Sequence, residues 1–404
     1  MSGPELITLG CRLNIAESEA MRALAGGQDD LVIVNSCAVT AEAVRNTRQA
    51  IRKAHRSRPD ARIWVTGCAA EIAPQDFRAM PEVNVVLGQQ AKLAPASYTG
   101  DGVPAPVERP APFTRHARAF VEVQNGCDHR CTFCIIPFGR GESRSVPLDL
   151  AVDRIRALVD AGHREVVLTG VDVTSYGHDL PGEPSLGALV HAILDRVPDL
   201  PRLRLSSLDS VEIDPQLFEL ITGHERLMPH LHLSLQAGDD KILKRMKRRH
   251  TRAQAIEMVR AIKAKRPEVA IGADIIAGFP TETDAMFENS LKLVEECDIV
   301  HGHIFPYSPR EGTPAARMPQ LDRAVISDRA ARLRAACVAR RAAWLAAQVG
   351  TRQHILVELN GRQGHSPSFA PVAIPETWNA RGGQIYEVQV NAIENGLLIA
   401  GEAA

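Results

Sequence analysis

The sequence predicts an α/β protein in three parts: an N-terminal parallel α/β domain, a central partial (β/α)6 barrel and a small C-terminal β-barrel. Three observations support this prediction. Apolar runs of strand length alternate with helical patterns up to about residue 345, which is typical of parallel sheets covered by helices. A proline-rich stretch without periodicity interrupts the alternation and predicts a linker over residues 96–114. Beyond Gly350, short strand patterns separated by glycines replace the helical ones.

The N-terminal domain, predicted over residues 1–95, contains four short apolar runs. These are LITL, LVIVN, RIWVTG and VNVVLG, and segments with helical periodicity follow the first three. Runs that are apolar throughout are typical of strands buried on both faces. We therefore expect a small parallel α/β sheet in this part of the chain.

The central domain, predicted over residues 115–345, contains six strand patterns that are each followed by a helical one. The strands are AFVEVQ, EVVLTG, RLRLSS, LHLSLQ, AIGADIIAG and IVHGHIF. Six units predict an open partial barrel, because closure of this architecture takes eight. The last helix is long and arginine-rich, and we expect these side chains to form a solvated face: Arg329, Arg332, Arg334, Arg340 and Arg341.

The C-terminal part, residues 346–404, reads as the strands HILVELN, YEVQVNAI and GLLIAGEA. The 404 residues carry a formal net charge of −1, so a surface that binds nucleic acid must be a local patch. No apolar run reaches the length of a membrane span, and the first residues do not resemble a secretion signal. We expect a cytoplasmic, monomeric protein that does not enter a membrane. Its eight cysteines favour metal binding or catalysis over a disulfide scaffold.

Three of the cysteines, Cys127, Cys131 and Cys134, directly follow the first strand of the central domain. Functional sites of such barrels lie at the carboxyl ends of the strands. Thiolates bind soft metals and iron–sulfur clusters, and three of them leave one coordination position open. The alternative is a zinc site in which His129, inside the same motif, is the fourth ligand.

Three further cysteines, Cys11, Cys37 and Cys68, each end a predicted strand of the N-terminal domain. Carboxyl ends of parallel strands meet at one edge of a sheet, so these side chains are predicted to converge on a second site. The alternative is that they are ordinary buried residues. The remaining two, Cys297 and Cys337, lie in helical patterns and are predicted to pack in the core.

Other residues at the ends of later strands are candidates for holding a ligand at the rim. Phe133 can pack against an adenine ring, and Arg248 can pair with a carboxylate. Lys244, Lys247 and Arg249, in the densest basic run of the chain, can contact phosphates; the alternative is a solvated helix end. The other rim candidates are Gly170, Asp172, Ser207, Gln236 and Asp274.

The motif GCDHRCTFC, with Phe133 before its last cysteine, resembles that of radical S-adenosylmethionine (SAM) enzymes. With three N-terminal cysteines and a C-terminal β module, the whole chain resembles the methylthiotransferases of that superfamily. The resemblance implies two [4Fe-4S] clusters. The one on Cys127, Cys131 and Cys134 would bind SAM at its open iron, and the one on Cys11, Cys37 and Cys68 would carry the transferred sulfur. It also implies a TRAM-like RNA-binding barrel, a flavodoxin-type or similar electron donor and a sulfur donor that the sequence does not identify.

The stretches TLGCRLNIAESE and RGESRSVP resemble the methylthiotransferases that act on N6-threonylcarbamoyladenosine in tRNA. Those acting on isopentenyladenosine tend to have two more residues between the RG and SR pairs. The resemblance therefore implies that threonylcarbamoyladenosine at tRNA position 37 is the substrate. The alternatives are isopentenyladenosine in tRNA, an aspartate of a ribosomal protein, or a non-catalytic RNA-binding metal-cluster protein. One departure is Ala69, which replaces the aromatic residue usual after the GC pair.

Overall fold

The computed structural model describes residues 3–98, 113 and 115–401, so most of the linker predicted at 96–114 lies outside the described residues. The N-terminal domain alternates strands and helices as its sequence pattern predicts. Its elements are β1 Glu5–Thr8, α1 Arg12–Leu24, β2 Leu31–Ser36, α2 Ala41–Ser57, β3 Arg62–Gly67, α3 Cys68–Ile72, α4 Pro74–Arg78 and β4 Val85–Val86.

The N-terminal sheet is parallel throughout and has the order β1-β2-β3-β4. Every residue of β2 is buried, because helices and neighbouring strands surround it. Each cysteine of the N-terminal trio follows one of the first three strands, so the sheet brings Cys11, Cys37 and Cys68 to the same edge.

The central domain begins with β5 Ala119–Glu122 and ends with a long helix. Its elements continue with β6 Gln124–Asn125, α5 Ile136–Arg140, β7 Arg144–Ser145, α6 Leu148–Asp160, β8 Glu165–Thr169, α7 Leu186–Arg196, β9 Arg202–Leu205, β10 Ser207–Leu208, α8 Pro215–Gly223, β11 His230–Gln236, α9 Asp240–Met246, α10 Arg252–Lys265, β12 Ala270–Ala277, α11 Asp284–Glu296, β13 Ile299–Pro306 and α12 Arg323–Ala346.

Six parallel strand positions form the central sheet, which confirms the predicted partial barrel. One part has the order β5-β8-β9 and the other the order β10-β11-β12-β13. They are joined where β9 runs on into β10 and where Leu203 bridges to Leu227. Within the described part of the chain, β5 and β13 do not pair, so the barrel is open.

The C-terminal domain is a closed five-stranded barrel with the order β14-β15-β16-β18-β17. Its strands are β14 Arg352–Val357, β15 Gln363–His365, β16 Pro371–Ala373, β17 Ile385–Glu394 and β18 Leu397–Gly401. The sequence predicted the three longer strands. It missed β15 and β16, because three residues are too few to show an alternating pattern.

Helix α12 packs along β13, and its arginines correct one prediction. Arg329 is not on a solvated face, because it is buried and pairs with Glu282 at 2.9 Å. This ion pair joins α12 to the turn between β12 and α11. Cys297 and Cys337 lie in the apolar core, as predicted. No helix in the described ranges is long and apolar enough to cross a membrane.

The C-terminal barrel is joined to the central domain by a buried ionic network around Glu165. Arg118 and Arg204 approach its carboxylate at 2.9 and 2.8 Å, and Arg202 at 3.5 Å. Arg204 also donates to backbone carbonyls of the C-terminal barrel, at 2.7 Å for Pro367 and 2.9 Å for Ser366. One carboxylate therefore holds the cations that connect the two domains.

Candidate functional site

The loop that carries Cys127, Cys131 and Cys134 is fixed by backbone hydrogen bonds at both ends. The amide of Cys127 donates to Gly141 O at 3.1 Å, and the amide of Thr132 donates to Met246 O at 3.1 Å. The Thr132 hydroxyl donates to Arg245 O at 2.7 Å. These bonds satisfy backbone groups that lie outside regular structure and attach the loop to its neighbours.

A cleft of about 150 Å³ opens directly above these three cysteines. It lies where β8, β10 and β11 end, as the geometry of parallel barrels predicts. Five rim residues suggested by the sequence line it: Phe133, Asp172, Ser207, Gln236 and Arg248. Asp172, Ser207 and Gln236 were the strand-end candidates among them, so that prediction brought together residues from three separate strands.

Arg248 is the dominant cation of this cleft. Its guanidinium donates to Asp209 Oδ2 at 2.7 Å and to Ser234 O at 2.8 Å, and it lies 3.7 Å from the sulfur of Cys131. Among the described residues, its buried Nε finds no hydrogen-bond partner. A buried donor without an acceptor is costly, so this N–H is suited to a polar ligand in the cleft.

The backbone of Gln236 is also unusual, since its φ of +66° lies in the left-handed region. Non-glycine residues rarely adopt this conformation, and such residues concentrate at functional sites. Gln236 is the last residue of β11, and its side chain lines the cleft.

The structure gives two predicted rim residues other contacts. Asp274 is the fifth residue of β12, well before the strand end, and its carboxylate bonds to His232 at 2.9 Å and His303 at 3.3 Å. A Cβ on Gly170 would lie 2.6 Å from Gln124 O, so this glycine permits close packing of two backbones. Neither residue lines the cleft.

His129 is a poor fourth ligand for zinc at this trio. Its Nε2 lies 2.8 Å from Asp172 Oδ2, and hydrogen bonds to Asp172 and Glu212 raise the pKa of His129 to about 10. A zinc ion at this nitrogen would have to displace the contact with Asp172.

The second trio lies at the edge of the N-terminal sheet. A Cβ on Gly10, whose φ is +97°, would meet the Cβ of Cys37 at 2.7 Å, so only glycine lets the chain bring Cys11 this close to Cys37. Burial raises the pKa of Cys37 to about 11, and the neighbouring charges of Cys11 and Cys68 act in the same direction. Binding of a metal cluster there would release protons from these thiols.

Arg140 connects the two trios. Helix α5 begins two residues after Cys134 and ends at Arg140, whose Nε donates to the sulfur of Cys68 at 3.1 Å. Five helical residues span about 7 Å, so the two sites are neighbours. The charge of Arg140 is balanced by the buried Glu17, which also pairs with Lys92 at 2.6 Å.

Comparisons with known proteins agree with this architecture. Residues 121–294 match the radical SAM superfamily, and residues 5–88 match Uncharacterized protein family UPF0004. A threonylcarbamoyladenosine tRNA methylthiotransferase of Rickettsia prowazekii is 47% identical over 98% of this chain and 96% of that protein. The chain belongs to the radical SAM methylthiotransferase family. The family predicted from the sequence is confirmed, and so is the prediction that the protein is an enzyme.

Two further matches have lower sequence identity to this chain. A tRNA-2-methylthio-N(6)-dimethylallyladenosine synthase of a Ruegeria species is 33% identical to this methylthiotransferase, covering 90% of each chain. The solved radical SAM methyltransferase TsrM of Kitasatospora setae shares its fold, with a TM-score of 0.54, 15% identity, and coverage of 78% of this chain and 77% of that one. Membership in the superfamily implies SAM and a [4Fe-4S] cluster as cofactors.

Sequence reasoning missed several residues at the sites of this methylthiotransferase. Arg140 and Asp209 make the closest polar contacts to Cys68 and Arg248, and Gln89 reaches Cys68 at 3.8 Å. The only available signal was that Arg140 lies in the RGESRS stretch already linked to the substrate. The contacts of Asp209 and Gln89 depend on chain segments that meet only in the folded structure.

The basic run starts within α9 and continues past its end. Lys244 and Lys247 are exposed, so both can meet a phosphate. Arg249 is exposed too, but it pairs with Glu212. Contact with RNA through Arg249 would require that ion pair to open.

Proposed function

We propose that this enzyme converts N6-threonylcarbamoyladenosine at tRNA position 37 into its 2-methylthio derivative, with one [4Fe-4S] cluster on each cysteine trio. The observation that carries the proposal is the adjacency of the trios through α5 and Arg140. A reaction that cleaves SAM at one cluster and transfers sulfur from another requires both to reach one nucleoside. The radical SAM cluster belongs on Cys127, Cys131 and Cys134, and the sulfur-carrying cluster on Cys11, Cys37 and Cys68.

In this proposal the cleft residues hold and orient SAM. When a reduced cluster is bound on Cys127, Cys131 and Cys134, the cluster supplies the electron that cleaves SAM. Arg248, with its unpartnered Nε, holds the carboxylate of the methionyl group, and Phe133 packs near the adenine. Asp172, Ser207 and Gln236 supply polar groups for the remaining hydroxyl and amino functions. The other two candidates, Gly170 and Asp274, act outside this cleft.

The choice of substrate rests on two supports. The relative with 47% identity is named for threonylcarbamoyladenosine, whereas the dimethylallyladenosine relative has 33% identity. The second support is the short RGESR spacing, in a stretch that also contacts both trios: Gly141 O accepts from the amide of Cys127, and Arg140 donates to Cys68. We further propose that Lys244 and Lys247 contact tRNA phosphates, and that a monomer works in the cytoplasm with a flavodoxin-type electron donor.

Nucleoside mass spectrometry of tRNA tests the substrate. Deleting the gene is expected to remove the methylthio form of threonylcarbamoyladenosine and leave the methylthio form of isopentenyladenosine unchanged. Complementation with the wild-type gene should restore the lost form. Loss of the isopentenyladenosine derivative alone would overturn the proposal, and unchanged tRNA with an altered ribosomal-protein mass would favour the aspartate alternative.

Replacing Arg140 with glutamine is expected to make the midpoint potential of the N-terminal cluster more negative. The variant loses a positive charge and an N–H donor to the Cys68 sulfur, which both favour the reduced cluster. A charged hydrogen bond is worth about 1.5–3 kcal/mol, and 1.4 kcal/mol corresponds to about 59 mV for a one-electron couple. Because only part of the bond energy differs between the oxidised and reduced cluster, we expect a shift on the order of 50 mV. Glu17 keeps Lys92 as its partner, so the fold should persist.

An EPR-monitored redox titration measures this shift. The titration is done in a Cys131→Ala background, in which only the N-terminal cluster contributes. Arg144→Gln is the matched control, because Arg144 is exposed and, among the described residues, its hydrogen bonds go to backbone carbonyls of Glu142 and Arg140. Equal potentials for both variants would show that Arg140 does not tune this cluster.

A further inference from the structure

A second cavity, of about 180 Å³, lies inside the central barrel where all three domains meet. Arg12 of the N-terminal domain lines it, as do residues of β11, β13, α12 and the C-terminal barrel. The side chains that line it include Arg12, His301, His303, Arg341, His365 and Phe369. The cavity is next to both proposed cluster sites. Arg12 directly follows Cys11, and His232 lies two residues, about 7 Å, before Ser234 of the SAM cleft on the same face of β11.

Two residues that line the cavity, Arg12 and His301, have donor groups without a well-placed acceptor among the described residues. Arg12 makes no hydrogen bond or ion pair with any residue in the described ranges, and its guanidinium lies 5.8 Å from the centre of the Phe369 ring. His301 is 9% exposed, and its Nδ1 accepts from Arg341 at 3.2 Å, so its proton lies on Nε2. Burial and the charge of Arg341 lower the pKa of His301 to about 3, so the ring is neutral.

The Nε2–H of His301 is left without an acceptor of normal geometry among the described residues. The Ser368 backbone is within reach of this ring and acts to raise its pKa, but the geometry lies outside the normal range for a hydrogen bond. A buried donor in this situation can bond to a better-placed acceptor on a bound group.

The charges around the cavity also favour a negative ligand. The carboxylate of Asp274 is already bound by His232 and His303. Phe369, whose φ is +69°, is surrounded by guanidinium groups: Arg204 at 5.0 Å, Arg118 at 5.4 Å and Arg12 at 5.8 Å from its ring centre. Glu165 and Glu358 balance Arg118 and Arg204, whereas Arg12 has no comparable partner in the part of the chain that is described.

We propose that this cavity binds an anionic oxygen group of the substrate tRNA through Arg12 and His301, and that the group is the carboxylate of the threonylcarbamoyl substituent. This inference rests on the proposed substrate. In this proposal an adenine bound between the two cysteine trios extends its N6 substituent into the cavity. A backbone phosphate next to position 37 has the same chemistry and is the other possible source.

The cavity would then select the substrate as well as bind it. An isopentenyl group has no acceptor atoms, so it would give Arg12 and the Nε2–H of His301 no acceptor in place of the carboxylate. Sites built around buried polar groups reject analogues that lack the matching group far more strongly than apolar pockets reject a polar analogue. Arg12 is thus a specificity-determining residue at the interface with the C-terminal barrel.

The test is binding of anticodon stem-loop RNAs to the full-length reconstituted enzyme without reductant, followed by fluorescence anisotropy. Position 37 carries threonylcarbamoyladenosine, its neutral methyl ester, isopentenyladenosine or adenosine. Arg12→Gln is expected to weaken binding of the threonylcarbamoyl RNA roughly tenfold to a hundredfold and to leave the methyl ester unaffected. Arg12→Lys should restore much of the loss. Arg332→Gln, a surface arginine paired with Glu288, is the matched control.

The outcomes separate the two sources of the anion. Arg12→Gln could instead weaken binding of all four RNAs equally and reduce the number of counterions released on binding by about one. In that case the site binds a backbone phosphate instead of the carboxylate. If Arg12→Gln binds every RNA as the wild type does, the proposed anion site is wrong. The proposed function has its own readout: a reduced wild-type enzyme that modifies only the isopentenyladenosine RNA overturns the substrate whatever Arg12 does.

Discussion

Replacing Cys131 with alanine is expected to abolish formation of 5′-deoxyadenosine and to reduce the iron content from about eight to about four per chain. The residue contributes one of the three thiolates beneath the SAM cleft, and Arg248 lies 3.7 Å from its sulfur. The fold should survive, because the loop is held by the backbone and hydroxyl of the adjacent Thr132. Iron and sulfide analysis after anaerobic reconstitution, with chromatography of SAM products, measures both effects.

Cys37→Ala is the matched variant for the other trio. It should also lose about four irons, but it should keep cleaving SAM while making no methylthio product. Cys337→Ala controls for loss of any buried thiol and should keep the full iron content, since Cys337 packs in the apolar core. A Cys131→Ala protein that still forms 5′-deoxyadenosine would contradict the placement of the SAM cluster. One zinc per wild-type chain, with no sulfide, would contradict both clusters.

The sequence predicted the cysteine sites because they follow from the topology of parallel sheets. Successive parallel strands end at the same edge, so Cys11, Cys37 and Cys68 at three strand ends must come close together. The same rule brought Asp172 and Gln236 to one cleft. The rule did not predict how far along its strand a residue lies, because period-two alternation identifies the face of a strand and not the position along it. Asp274 therefore faces the interior but lies below the rim, against His232 and His303.

The buried ionic contacts could not be predicted in this way. Glu17 reads as a polar residue of an amphipathic helix, yet it is 2% exposed and balances Arg140, which is 123 residues away. Arg204 reads as an outward position of a strand, yet it binds Glu165 and the carbonyls of the C-terminal barrel. Such pairs depend on how separate domains meet, and no local pattern encodes that.

Replacing Glu165 with glutamine is expected to destabilise the contact between the central domain and the C-terminal barrel. Glu165 is fully buried, and its loss would leave Arg202 and Arg204 with backbone carbonyls but no carboxylate, while Arg118 would keep Glu358. Removing one partner of a buried ion pair typically costs about 3–5 kcal/mol, because the remaining charge stays desolvated. The free energy of unfolding is measured in urea by tryptophan fluorescence, since Trp344 and Trp378 pack against the core of the C-terminal barrel.

The same residue predicts an acid dependence with a defined sign. Burial alone would raise the pKa of Glu165, but the guanidinium groups of Arg204 and Arg118 lower it to about 2 from an ordinary value of 4.5. Because the folded-state pKa is the lower one, Glu165 stabilises the fold fully above pH 4.5 and this stabilisation is lost as the pH falls toward about 2. The glutamine variant should lack this component of the acid transition.

Asp76→Asn is the control for both measurements. Asp76 forms an ion pair with Arg48 at 2.7 Å, but both side chains are well exposed, so the expected change is about 0–1 kcal/mol. If Glu165→Gln and Asp76→Asn shift the unfolding midpoint equally, the Glu165 network does not hold the barrel in place. A large shift for Glu165→Gln alone would instead show that the wall formed by Phe369 and His365 around the Arg12 cavity depends on one buried carboxylate. Substrate selection and domain docking would then share the same cations, since Arg118 and Arg204 contact Glu165 on one side and the Phe369 ring on the other.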